Sequence, residues 1–149
     1  MSTDIDYHIR TLIVEDSAPT RKILGSRMQG LGCKIVGEAE DPAAGLRAFH
    51  ELDPQLVTLD LIMPQVDGMS SEDLFRTIRK EKPETAVIVI SSRHKMAAAP
   101  SFLAQGALAY IEKPFLNFDH LQEKLEFVFP QLKQRPKWAN NLSGPGRTR

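Results

Sequence analysis

The chain has 149 residues and no formal net charge, because its 19 lysines and arginines balance its 19 aspartates and glutamates. This length suffices for one domain with a proper core. Because the positive and negative charges balance, the overall charge does not point to nucleic acid or an anionic membrane as a partner. The single cysteine, Cys33, cannot form an internal disulfide. No signal-peptide pattern opens the chain, and no apolar run approaches the roughly 20 residues that span a bilayer. We therefore predict a soluble, cytoplasmic domain.

Strands and helices are predicted to alternate after a flexible leader at residues 1–8. The segment 10–14 predicts a short buried strand, and Ser17 with Pro19 predicts the cap and first turn of a helix ending near Gly30. A second strand is expected over 35–39. Asp41-Pro42 then opens a second helix, whose inner face is expected to carry Leu46, Phe49 and Leu52.

The third strand, about 55–60, ends on Asp60 and precedes a loop with an Asp-Gly turn signal. Ser70-Ser71-Glu72-Asp73 predicts the start of a third helix that reaches about residue 81. Residues 86–90 form the most continuous apolar run, typical of a strand buried on both faces. Because proline cannot donate within a helix, Pro100 predicts a short fourth helix that begins near it, after a long loop over 92–99.

A fifth strand is expected over 107–111, and helical spacing predicts a last helix, capped by Asn117 or Asp119, with an inner face of Phe118, Leu121, Leu125, Val128 and Leu132. Five strands that alternate with five helices predict an α/β fold, a doubly wound parallel sheet with helices on both faces. Residues 133–149 contain five basic residues and no acid. This segment is predicted to be a basic, disordered tail after a domain that spans 9–132.

Four of the predicted strands end in polar residues, namely Glu15-Asp16, Asp60, Ser91 and Lys113. Because the carboxyl ends of parallel strands share one edge of the sheet, these residues should converge. Taken singly, each has an ordinary interpretation as a helix cap, a turn former or a solvated lysine. Their occurrence on four strand ends favours a common site.

Three carboxylates at one place repel one another, and a divalent cation relieves the repulsion. Carboxylate, carbonyl and water oxygens suit Mg²⁺. With Lys113 and the Ser91 hydroxyl nearby, such a site suits a phosphoryl group, and Asp60 would be the nucleophile.

The same residues carry a family resemblance. Leu12-Ile13-Val14-Glu15-Asp16-Ser17, Asp60 through Met63-Pro64 to Asp67-Gly68, Ser91, and Lys113-Pro114-Phe115 resemble, in order and spacing, the receiver domains of two-component response regulators, the CheY-like family. The resemblance covers about residues 9–132 and implies a flavodoxin-like (βα)5 fold. The residues around Asp16 and Asp60 are most similar to those of chemotaxis-type regulators. The short segment after the last predicted helix leads us to expect a single-domain regulator.

The resemblance implies a role for each matching position. Asp60 would be the phosphoacceptor, and Glu15, Asp16, Asp60 and the backbone carbonyl of Ile62 would hold Mg²⁺. Lys113 and Ser91 would contact the phosphoryl group, and Ser91 and Tyr110 would form the conformational switch. The peptide before Pro114 is often cis in the family.

The implied partners are a sensor histidine kinase or histidine phosphotransfer protein, and an output protein that binds the face formed by the fourth helix, fifth strand and last helix. No turnover of an external substrate is expected. Three alternatives remain open, namely a single-domain phosphorelay shuttle, a receiver excised from a longer regulator and a magnesium-dependent phosphohydrolase. The phosphohydrolase usually needs a second acid two residues after its nucleophile, where this chain has Ile62.

Overall fold

The computed structural model describes residues 9–92, 97–113 and 120–134. Its strands are β1 (Ile9–Val14), β2 (Cys33–Ala39), β3 (Leu56–Asp60), β4 (Ala86–Ser91) and β5 (Ala109–Glu112). Its helices are α1 (Ala18–Gly30), α2 (Pro42–Leu52), α3 (Ser71–Glu81), α4 (Ala99–Ala104) and α5 (Leu121–Val128), and a 3-10 helix follows at Pro130–Gln134. In the described part of the chain, every helix is too short or too polar to cross a bilayer.

The five strands form one parallel sheet in the order β2-β1-β3-β4-β5. Successive side chains of β4 point to opposite faces, so Ile88 packs in one apolar cluster and Val87 and Val89 in another. Helices α1 and α5 cover the first face, and α2, α3 and α4 cover the second. The predicted doubly wound, flavodoxin-like fold is confirmed.

The three predicted helix starts are confirmed by side-chain caps. Ser17 Oγ accepts from the Thr20 amide at 3.3 Å, and Asp41 Oδ1 accepts from the Ala44 amide at 2.7 Å. At α3, Ser70 Oγ accepts from the Asp73 amide at 3.0 Å while Asp73 Oδ2 accepts from the Ser70 amide at 3.1 Å. This reciprocal capping box fixes the start of α3, which follows the Asp60 loop.

The fourth helix is short and begins at Ala99, with Pro100 in its first turn, as predicted. Of the long loop expected before it, residues 93–96 lie outside the described residues. On the second helix, Phe49 is buried as predicted, whereas Leu46 and Leu52 are partly buried against the same cluster.

The prediction of one continuous last helix to Leu132 is wrong. Helix α5 ends at Val128, because Pro130 cannot continue the hydrogen-bond pattern and the residue before it, Phe129, adopts φ −121° and ψ 79°. Val128 is therefore 36% exposed, while Phe129 and Leu132 enter the core. The predicted caps Asn117 and Asp119, together with Phe118, lie outside the described residues.

Two strands begin two residues away from their predicted starts. Strand β2 begins at Cys33 rather than 35, because Ile9 of the neighbouring strand pairs with it. Strand β5 covers Ala109–Glu112 rather than 107–111. The Ala107 amide instead donates to the carbonyl of Phe102 in α4. The 3-10 helix includes the first two residues assigned to the tail, and the leader 1–8 and residues 135–149 lie outside the described residues.

Candidate functional site

Three carboxylates converge at the carboxyl edge of the sheet. Glu15 and Asp16 follow β1 directly, and Asp60 is the last residue of the neighbouring β3. One oxygen of each lies within 4.8 Å of the others. Glu15 and Asp60 are only 1% and 2% exposed, whereas Asp16 is exposed, so the cluster opens to solvent on the side of Asp16. The sequence prediction that these acids meet is confirmed.

Backbone contacts orient the Glu15 side chain. Its amide donates to the Ala39 carbonyl at 2.9 Å, which extends the β1–β2 pairing past the end of the strand. Its carboxylate Oε2 accepts from the Ser17 amide at 3.0 Å, and its carbonyl accepts from Arg21 Nη1 at 2.7 Å. The start of α1 thereby holds the Glu15 carboxylate toward Asp60.

Asp60 is held by the loop and helix that follow it. Its Oδ1 accepts from the Ile62 amide at 2.9 Å, and its backbone carbonyl accepts from Ser71 Oγ at 2.8 Å. The loop between them turns at Asp67-Gly68, with φ of 52° and 75°, and closes through two backbone bonds between Val66 and Met69. Asp-Gly is the dipeptide that tolerates this pair of left-handed conformations.

Lys113, just after β5, places its ammonium between the two buried acids. Its Nζ donates to Asp60 Oδ2 at 3.0 Å and lies 2.9 Å from Glu15 Oε1. The contact between Lys113 and Glu15 is an ion pair. One cation facing three carboxylates leaves this cluster of described residues negatively charged when all are ionised.

Burial shapes the acid–base behaviour of this pair. Burial and, less strongly, the nearby charge of Asp60 raise the pKa of Glu15 to about 7, against the lowering effects of the Ser17 amide and Lys113. Burial disfavours the charged form of Lys113, but the Glu15 and Asp60 carboxylates outweigh it and raise the lysine pKa above its ordinary value.

Ser91 ends β4, one residue beyond the Ile90 that pairs with Asp60. It is fully buried, and its Oγ has no hydrogen-bond partner among the described residues. Its carbonyl accepts from the Lys113 amide at 2.8 Å. A buried hydroxyl without a partner is costly, and at a site edge it indicates a group available to a ligand.

Tyr110 lies on β5, opposite Val89, and is half-buried. Its ring packs against Phe102 of α4, with centroids 6.0 Å apart. The structure thus places Tyr110 between β5 and α4. Its switch role remains a prediction.

The Ile62 amide contacts Asp60, whereas the metal-ligand role of its carbonyl remains a prediction, and Pro114 lies outside the described residues. Ser71 is a contact that sequence reasoning missed, since Ser70-Ser71 was interpreted only as a helix start. No local pattern signals a hydroxyl that bonds a carbonyl eleven residues earlier.

Comparison with known proteins identifies the family. Residues 11–126 match the response regulator receiver domain. The chain belongs to this family. Along 106 residues it is 33% identical to the chemotaxis protein CheY of Thermotoga maritima, covering 71% of this chain and 86% of that protein.

Other relatives are longer. The chain is 40% identical over 109 residues to protein-glutamate methylesterase/protein-glutamine glutaminase 2 of Koribacter versatilis, covering 71% of this chain but 29% of that protein. This receiver therefore spans less than a third of the methylesterase it matches. Among solved structures, the response regulator domain of Thermotoga maritima CheB is 32% identical with a TM-score of 0.62, and the alignment covers 87% of this chain and 99% of that one.

Proposed function

We propose that this receiver accepts a phosphoryl group on Asp60 from a histidine kinase or phosphotransfer protein of a cytoplasmic two-component system. The observation that carries the proposal is the buried Asp60 carboxylate with Lys113 Nζ at 3.0 Å from Oδ2. An Asp60 oxygen would bond to phosphorus as the phosphorus–nitrogen bond of the donor phosphohistidine breaks. The released imidazole nitrogen would take up a proton.

The donor set fits Mg²⁺. Carboxylate oxygens of Glu15, Asp16 and Asp60 lie within 4.8 Å of one another, and Asp16 opens the cluster to water. The Ile62 carbonyl would complete the protein ligands. When bound, Mg²⁺ spreads the negative charge of the phosphoryl oxygens. A relative, the response regulator protein TrrA of Thermotoga maritima, was solved in complex with Mg²⁺ and BeF. It is 30% identical to this chain with a TM-score of 0.65, and the alignment covers 80% of this chain and 98% of that one.

Ser91 and Tyr110 would carry the response. The Ser91 hydroxyl, which has no hydrogen-bond partner among the described residues, would donate to a phosphoryl oxygen and so give the phosphorylated state an added contact. Movement of Ser91 would change the space beside Tyr110, whose ring packs against α4. An output protein bound to the α4–β5–α5 face would then distinguish the two states.

The domain would span residues 9–132, with a leader and a basic tail, and would turn over no external substrate. Ile62 occupies the position where a phosphohydrolase of similar fold would need its second acid, which disfavours that alternative. Methylesterases among the relatives leave open a longer regulator in which this receiver governs an enzyme.

Intact mass tests the proposal after incubation with Mg²⁺ and phosphoramidate. We expect the wild type to gain the mass of one phosphoryl group and Asp60→Asn to gain none. Asp67→Asn is the matched control, because Asp67 lies in the same loop at φ 52°, a conformation that asparagine tolerates. It should be labelled like the wild type. Persistent labelling of Asp60→Asn would refute the assignment of Asp60.

A further inference from the structure

Ser71 stands out among the residues near Asp60 because it comes from a helix. It is the first residue of α3, is 1% exposed, and places Oγ 2.8 Å from the Asp60 carbonyl oxygen. A carbonyl can only accept, so the Ser71 hydroxyl is the donor. The contact joins the body of α3 directly to the backbone of the proposed phosphoacceptor.

The location of this bond in the sheet explains its importance. Pairing between β1 and β3 ends at Val14 and Leu59, so Asp60 lies one residue beyond the last partner that β1 provides. On the other edge the pairing with β4 continues, since the Leu61 amide donates to the Ile90 carbonyl at 3.1 Å. The Ser71 hydroxyl therefore holds the Asp60 backbone on the β1 side, where the pairing between strands has ended.

Ser71 is itself held rigidly. The capping box between Ser70 and Asp73 fixes the first turn of α3 on both sides of it. The next buried residues of the helix, Leu74 and Phe75, pack in the core. The Ser71 hydroxyl therefore lies on a fixed helix rather than on a loop.

We propose that Ser71 is a positioning residue for phosphoryl transfer, which orients the Asp60 carboxylate through the backbone carbonyl of Asp60. With this bond, Asp60 is restrained at three atoms: Oδ1 by the Ile62 amide, Oδ2 by Lys113 and the carbonyl by Ser71. Small displacements of a nucleophile slow a reaction strongly. The inference rests on the proposed function, because it concerns the reactivity of Asp60.

The test measures the rate of adduct formation with phosphoramidate at saturating Mg²⁺. We expect Ser71→Ala to react roughly tenfold more slowly, the change that corresponds to one lost hydrogen bond. Ser70→Ala is the matched control, because it removes the helix cap and destabilises α3 without touching Asp60. Because Leu74 and Phe75 still hold α3 in the core, Ser70→Ala should slow the reaction less than Ser71→Ala does, while urea unfolding shows its loss of stability.

A second pair of variants covers the case in which Ser71→Ala does not fold. Ser71→Thr and Ser71→Val have nearly the same shape and differ in the hydroxyl, so Thr should react faster than Val. Equal rates in that pair, a wild-type rate for Ser71→Ala, or equal slowing by Ser70→Ala and Ser71→Ala would each overturn the inference. Absence of any adduct on the wild type would instead refute the proposed function.

Discussion

The buried Glu15 carboxyl predicts an unusual pH dependence of stability in the metal-free protein. Burial raises its pKa from 4.5 to about 7, so the folded state holds a proton that the unfolded state releases. Its stabilising contribution is fully present below about pH 4.5 and is lost as the pH rises through 7. The free energy of unfolding should therefore fall with rising pH in this range.

The magnitude follows from the two pKa values. Integrating proton binding between them gives a loss of about 2 kcal/mol from about pH 5.5 to about pH 8. Asp53 and Asp73 have lowered pKa values, so their contributions are lost as the pH falls below 3.8, outside this range. The Lys113 pKa is raised from 10.5, which also places its titration outside the range.

Urea unfolding at the two pH values, with a chelator present, measures this effect. Glu15→Gln is the matched control, because it keeps the shape of the side chain and removes the titration, so its slope should be flatter by the same amount. Added Mg²⁺ should stabilise the wild type more at pH 8 than at pH 5.5, since protons compete for the carboxylate. Equal slopes for the wild type and Glu15→Gln would refute the reasoning.

Two further predictions concern stability. The Thr58 hydroxyl is fully buried on β3 and has no hydrogen-bond partner among the described residues. Thr58→Val should therefore raise the free energy of unfolding, measured in urea, by about 1 kcal/mol, while Thr58→Ser should not. A valine variant less stable than the wild type would contradict this. Arg79 donates to the carbonyls of Pro83, Thr85 and Gln105, which ties α3 to the end of α4. Arg79→Met keeps the aliphatic part of the side chain and should lower the free energy of unfolding by about 1 kcal/mol. An unchanged unfolding midpoint would refute a stabilising role for these hydrogen bonds.

Local chemistry explains why so much was predictable. Ser17, Asp41 and Ser70 satisfy amides only three residues away, so a short window of sequence contains both the donor and the acceptor. The Asp67-Gly68 turn depends in the same way on the conformational preferences of two adjacent residues. These elements follow from short-range interactions.

The prediction for the last helix is wrong because a proline interrupts the repeat of apolar residues. Helical spacing suggested that Val128 and Leu132 share one inner face, but Pro130 ends α5 and a tighter turn brings Phe129 inward instead. A repeat of apolar residues describes a face only while the backbone geometry that generates the repeat continues.

The sequence by itself determined that Glu15, Asp16, Asp60, Ser91 and Lys113 stand at strand ends, because the apolar runs that define the strands stop there. The parallel topology then implies their convergence. Only the tertiary structure decided that Lys113 lies between Glu15 and Asp60, that the Ser91 hydroxyl has no hydrogen-bond partner in the described parts of the chain, and that Ser71 bonds to Asp60. These facts depend on distances between residues far apart in the chain, which are set by the packing of helices on the sheet rather than by local preference.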